Sequence, residues 1–179
     1  TGSILDNDDT RNLTVTGLSD VSEGSQDIFK VTLDATVSRA TNISLAWANG
    51  QGANSSTSSS DYVVTYGSSL TDTSNAIVYY YANGVQTALT VTNGVVSLPS
   101  DIATFYVRVP TVQDLAFEGK EDFQLTAQIV GGNSASGTST IVDDGTGKVY
   151  SNIDSSGTAL YSGTSDDDRT LSITASGPV

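Results

Sequence analysis

The chain has 179 residues, enough for one full domain with a sizeable core and some excess. Its 20 acidic and 7 basic residues give a net charge of -13, which argues against nucleic acid and anionic membrane as partners, since both demand basic patches. Cysteine and histidine are both absent, which excludes disulfides, thiolate or imidazole zinc sites and histidine-based triads, and leaves oxygen-ligated metal as a route to extra rigidity.

At 37% hydrophobic residues, with β-branched residues and Tyr in short runs, the composition is that of a folded chain. No run approaches the roughly 20 apolar residues of a membrane span, so direct membrane insertion is not expected.

In chain order, Ser3-Ile4-Leu5-Asp6-Asn7-Asp8-Asp9 has the same form as Thr140-Ile141-Val142-Asp143-Asp144: a small or β-branched residue, two aliphatics, then acids. A second echo matches Asp8-Asp9-Thr10-Arg11-Asn12-Leu13 with Asp166-Asp167-Asp168-Arg169-Thr170-Leu171. Together they predict a tandem array. Residues 1-9 then end a preceding repeat, 10-146 form a complete unit, 147-168 an extended linker, and 169-179 open the next repeat.

Within the complete unit, strands are expected at Leu13 to Leu18, Ile28 to Leu33, Asn42 to Ala48, Tyr62 to Tyr66 and Ala76 to Ala82. Thr87 to Thr92, Val95 to Leu98, Ile102 to Val109, Phe123 to Ile129 and Gly137 to Val142 follow. Asn83-Gly84 and Asn93-Gly94 are turn dipeptides suited to positive φ. Ile43, Leu45 and Trp47 fall on one face, which makes Trp47 a core residue; Tyr79, Tyr80 and Tyr81 alternate faces, so at least one is exposed. No stretch has helical apolar spacing. About nine or ten short strands between Gly, Asn and Ser turns predict an all-β, antiparallel β-sandwich. Asn49 to Ser60 and Gly145 to Ser165 read as loops.

The stretch Val112 to Phe123 sets Asp114, Glu118, Glu121 and Asp122 close together between two strand-like runs. Connections at one end of a sandwich gather there. Glu23 follows the first strand, Asn49 and Asp61 bracket the third connection, and Asp143-Asp144 follows the last. Calcium takes six to eight hard oxygen ligands in irregular geometry, so these groups suit it if they converge at one pole. Asp6 and Asp8 would serve a further ion at the junction between repeats.

Val21-Ser22-Glu23-Gly24, Ser60-Asp61-Tyr62, Asp114 to Phe123 and Ile141-Val142-Asp143-Asp144, in that order, resemble a Calx-β-type domain. More specifically they resemble the Calx-β-like, immunoglobulin-type repeats of giant bacterial repeats-in-toxin (RTX) adhesins. The resemblance covers about Leu13 to Gly145. It implies a secreted module at the bacterial cell surface, binding several calcium ions and serving adhesion. By position, Glu23, Asp114, Glu118, Glu121, Asp143 and Asp144 match the family's calcium ligands. Two departures stand out: Asn49 occupies a place where calcium-rich versions carry Asp, and the stretch from about Val63 to Asn93 is longer than in a minimal domain.

Catalysis is not expected, because the carboxylates cluster in one loop without the sugar-stacking groove of a glycosidase. Two roles remain. One is a calcium-stiffened stalk whose partners are neighbouring repeats of the same chain. The other is a ligand-binding module that recognises a peptide or glycan on a host or neighbouring cell, with Asn49, Tyr79, Tyr80 and Tyr81 as candidate contacts.

Overall fold

The computed structural model describes residues 11-17, 20-36, 38-50, 60-114 and 120-142, together with the backbone of 151-153 and 159-161. The described residues contain no helix and form a two-sheet sandwich. The first sheet contains β1 (Leu13–Gly17), β3 (Gln26–Leu33), β9 (Thr104–Pro110), β5 (Ile77–Ala82) and β6 (Val85–Leu89), in that spatial order. The second contains β2 (Val21–Ser22), β11 (Ser134–Val142), β10 (Lys120–Ile129), β4 (Thr41–Asn49), β8 (Val95–Leu98) and β7 (Val91–Thr92). All pairings are antiparallel except β2 with β11, which is parallel. A separate antiparallel pair, β12 (Ser151–Ile153) with β13 (Ala159–Tyr161), falls within the stretch expected to be an extended linker.

Period-2 alternation builds the core. Phe29, Val31 and Leu33 of β3 and Phe105, Val107 and Val109 of β9 face Ile43 and Leu45 of β4 and Phe123, Leu125 and Ala127 of β10. Trp47 is half-buried and packs on this core, as its alternation predicts. It meets Phe29 edge-on at 5.7 Å between ring centroids, while Phe123 stacks on Tyr62 at 4.4 Å. At the edge, β1 lies so close over β11 that a side chain on Gly137 would come within 2.6 Å of the Val15 carbonyl. Gly17 faces the Thr138 backbone in the same way.

Three expectations need correction. Tyr62 to Tyr66 is not a strand; its backbone makes only bridges, Tyr62 to Thr111 and Tyr66 to Ala76, because Tyr62 drops into the core as an anchor. Thr87 to Thr92 is not one strand either: the chain changes sheets at Thr90, so β6 joins the first sheet and β7 the second. Val21 and Ser22, outside every expected strand, pair with Ile141 and Val142.

Part of the long insertion folds back over the outer face of the first sheet. Ile77 points outward yet is 0% exposed, because the 67-75 loop covers it. Arg108, its cross-strand partner, clamps that loop by donating to the Leu70 carbonyl at 2.9 Å and the Asp72 carbonyl at 2.7 Å. Asn75 and the Ser74 amide donate to the Asp72 carboxylate, which holds it below its ordinary range.

Candidate functional site

The acidic end of the sandwich is assembled from four connections. β9 ends there, β3 and β10 begin there, and β4 and β11 end there, as their antiparallel registers require. The segment after β9 is the hub. Val112 donates its amide to the Asp61 carbonyl at 2.9 Å, and Thr111 donates to the Ser25 carbonyl at 3.0 Å. The Thr111 hydroxyl donates to the Ser22 carbonyl at 2.9 Å, and the Glu23 amide donates to the Val142 carbonyl at 3.1 Å. The stretches around Glu23, Asp61, Asp114 and Val142 are thereby stitched into one pole.

The acids on this frame differ in depth. Glu23 is 9% exposed and Asp61 8%, whereas Asp114, Glu121 and Asp122 are half-buried. The Gln113 amide reaches the Glu23 carboxylate at 3.4 Å and the Asp114 carbonyl at 3.2 Å, bridging two connections. Asn49 accepts a 2.8 Å hydrogen bond from the Tyr62 hydroxyl, and shares with Asp122 a small depression of ≈ 170 Å³ beside β10. Asp122 itself accepts from Thr140 across the ladder at 2.7 Å. Lys120 pairs with Asp20 at 2.8 Å at the surface, lowering the Asp20 pKa.

No family model matches the chain, and no curated protein matches it.

The sequence-derived candidates therefore divide into three groups. Glu23, Asp61, Asp114, Glu121 and Asp122, with Asn49, stand at one end of the molecule. Asp6, Asp8, Glu118, Asp143 and Asp144 lie outside the described residues. Tyr79, Tyr80 and Tyr81 sit elsewhere: Tyr80 turns toward the core, Tyr79 is buried on the outer face, and Tyr81 is 50% exposed.

Among the described residues, no three acidic side chains by themselves form a metal-holding group. The donor set nevertheless has the right chemistry for calcium. It offers only carboxylate, amide and backbone oxygens, which suit a hard cation and disfavour zinc or copper. Two carboxylates more than nine-tenths buried, Glu23 and Asp61, stand at this acidic end.

Two contributors were missed in the sequence. Gln113 is neutral and was passed over beside its acidic neighbour. Asp27 sits between Gln26 and Ile28 in a strand, where alternation alone would have turned it inward beside Phe29. Asp27 is 2% exposed, with Oδ1 close to the Ile28 amide at 2.6 Å. Burial pushes its pKa up, and the Ser139 hydroxyl only partly counters this. The folded state thus holds this proton more tightly than the unfolded chain, so Asp27 costs stability as pH rises from about 4 through its raised native value. Asp27→Asn should raise Tm at pH 7 by about 2–4 °C, roughly 1 kcal/mol. The gap between variant and parent should shrink at pH 3; thermal melts at the two pH values check this, and an equal gap at both would contradict it.

Proposed function

We propose that this chain is a calcium-binding extracellular module of a large bacterial surface adhesin, acting as a calcium-stiffened stalk unit in a series of repeats. The observation that carries the calcium reading is the pole itself. Glu23 and Asp61, both more than nine-tenths buried, are tied through the Thr111–Asp114 segment into one acidic end. Glu23, Asp61, Asp114, Glu121 and Asp122 would hold the ions, joined by Glu118, Asp143 and Asp144 from the adjoining segments. Asp6 and Asp8 would serve a junction ion. Calcium would neutralise these carboxylates and cross-link connections that otherwise repel. The adhesin setting is supported by the Glu-Gly, Ser-Asp-Tyr and acidic-pair motifs and by the repeat echoes at both ends.

A second reading, a ligand-binding module on such a stalk, is favoured by one observation: part of the enlarged insertion builds an outward-facing tyrosine cluster away from the pole.

Calorimetric calcium titration of Glu23→Gln and Asp61→Asn tests the first reading. Each variant should bind calcium at least about tenfold more weakly, roughly 1.4 kcal/mol. Circular dichroism of each variant in chelator checks that the fold is kept, so that weaker binding reports on the site. Unchanged affinity in both variants would remove these two residues from the site and with them the basis of the proposal.

A further inference from the structure

The tyrosine cluster lies at the other end of the sandwich from the acidic pole, since β9 starts there at Thr104 and reaches the pole at Pro110. Tyr79 of β5 stands opposite Tyr106 of β9, their rings stacked at 5.3 Å and 17°. Tyr81 meets both rings edge-on, at 5.9 Å from Tyr79 and 5.7 Å from Tyr106. Tyr79 is 5% exposed, so it acts as backing, while Tyr106 is half-buried and Tyr81 half-exposed.

Beside these rings is an open depression of ≈ 290 Å³, lined by Tyr81, Tyr106, Thr36, Thr104 and Asp101 among others. Asp101 is its one charged lining residue, and its backbone is left-handed at φ 64. Asn83 and Asn93 share that conformation at φ 51, and Gly24, Gly84, Gly94 and Gly131 take it as glycines. Asp is one of the side chains that tolerate this conformation in a turn, and here the turn sets its carboxylate at the lining of the depression.

We propose that this depression is a binding site for a neutral hexopyranose unit of a glycan. Aromatic faces are electronegative and attract the electropositive C–H face of a pyranose ring; the half-exposed Tyr81 ring, with half-buried Tyr106 beside it, supplies such a surface. Asp101 accepts paired ring hydroxyls, and the Thr36 and Thr104 hydroxyls add neutral hydrogen-bonding groups. Asp101 in the lining and the chain's net charge of -13 favour a neutral sugar over an acidic one, with Lys30, opposite Tyr106 on β3, the nearby cation. The volume sits near the lower end of the ~300–1,000 Å³ range of small-molecule sites, which suits one sugar unit. The site needs no calcium, so it stands or falls separately from the acidic pole.

The test is amide NMR on the ¹⁵N-labelled 179-residue chain, titrated to about 50 mM with the methyl glycosides of glucose, galactose, mannose and N-acetylglucosamine. At least one should shift Tyr81, Asp101, Thr104 and Tyr106 with a dissociation constant of about 1–10 mM. Gln128→Ala, on the outer face of the other sheet, should bind the same sugar unchanged. Tyr81→Ala should weaken binding at least tenfold. Asp101→Gly should do the same while Tm stays level or rises, which separates lost binding from lost fold. The proposal is overturned if none of the four sugars shifts these residues, or if Tyr81→Ala and Asp101→Gly bind as the parent does. It is also overturned if the responding sugar loses its site in Gln128→Ala, or if a lysine dipeptide alone occupies the depression.

Discussion

In chelator the protein should melt well below its temperature in calcium. Extracellular calcium modules bind with dissociation constants near about 10⁻⁴ M, so about 10 mM calcium is roughly 100 times that value. A site at that saturation adds about 2.7 kcal/mol by mass action, and each kcal/mol moves Tm by about 2–4 °C in a chain of this size. One ion therefore raises Tm by about 5–10 °C and two ions by more than about 10 °C. The buried Glu23 and Asp61 carboxylates and their half-buried neighbours are the source of the effect. Differential scanning calorimetry with chelator, magnesium and calcium in parallel is the measurement. Equal melting in chelator and calcium would sink the calcium proposal, and an equal response to magnesium would reduce the effect to general charge screening.

Phe123→Ala should be the most damaging single truncation in the core below that pole. Phe123 is 0% exposed, stacks on Tyr62 at 4.4 Å and meets Phe29 edge-on at 5.4 Å. Its removal forfeits transfer energy, leaves a cavity and breaks the aromatic contacts, together about 3–5 kcal/mol and a fall in Tm of about 6–20 °C. Tyr62 is also the residue whose hydroxyl holds Asn49 and whose backbone neighbour Asp61 joins the hub, so the same change should weaken calcium binding. Tyr62→Phe is the matched control: it keeps the stack and loses only the 2.8 Å hydrogen bond to Asn49, at a cost of about 1 kcal/mol. Chemical denaturation of the two variants measures both; a loss below about 1.5 kcal/mol for Phe123→Ala would mean that the cluster does not anchor the pole.

Much of the frame is legible in the residues. Phe105, Val107 and Val109 alternate with Tyr106 and Arg108, and Phe123, Leu125 and Ala127 with Gln124 and Thr126, so β9 and β10 announce both their period and their inner face. Asn83-Gly84 and Asn93-Gly94 adopt the positive φ values their chemistry favours, 51 and 78 at the first pair and 51 and 74 at the second. The gathering of Glu23, Asp61 and Asp114 at one end follows from sandwich topology once the strands are placed.

What misled was equally physical. Tyr62 to Tyr66 has a strand's composition, but a strand needs a partner along its length, and the Tyr62 ring instead stacks on Phe123. Nothing local marks Thr90 as the point where the chain passes between sheets. Arg108 and Ile77 look like ordinary outward positions until a loop almost 40 residues earlier in the chain than Arg108 closes over them.

By itself, then, the sequence determined the all-β class, the core faces of the long strands, the tight turns and the acidic end, because these rest on side-chain period, local φ preference and charge. Only the tertiary structure decided how deeply Glu23, Asp61 and Asp27 are buried, which side of the tyrosine run meets solvent, and that Asp101 lies beside Tyr81 and Tyr106. Burial and juxtaposition are properties of distant segments packing together, and no window of neighbouring residues contains them.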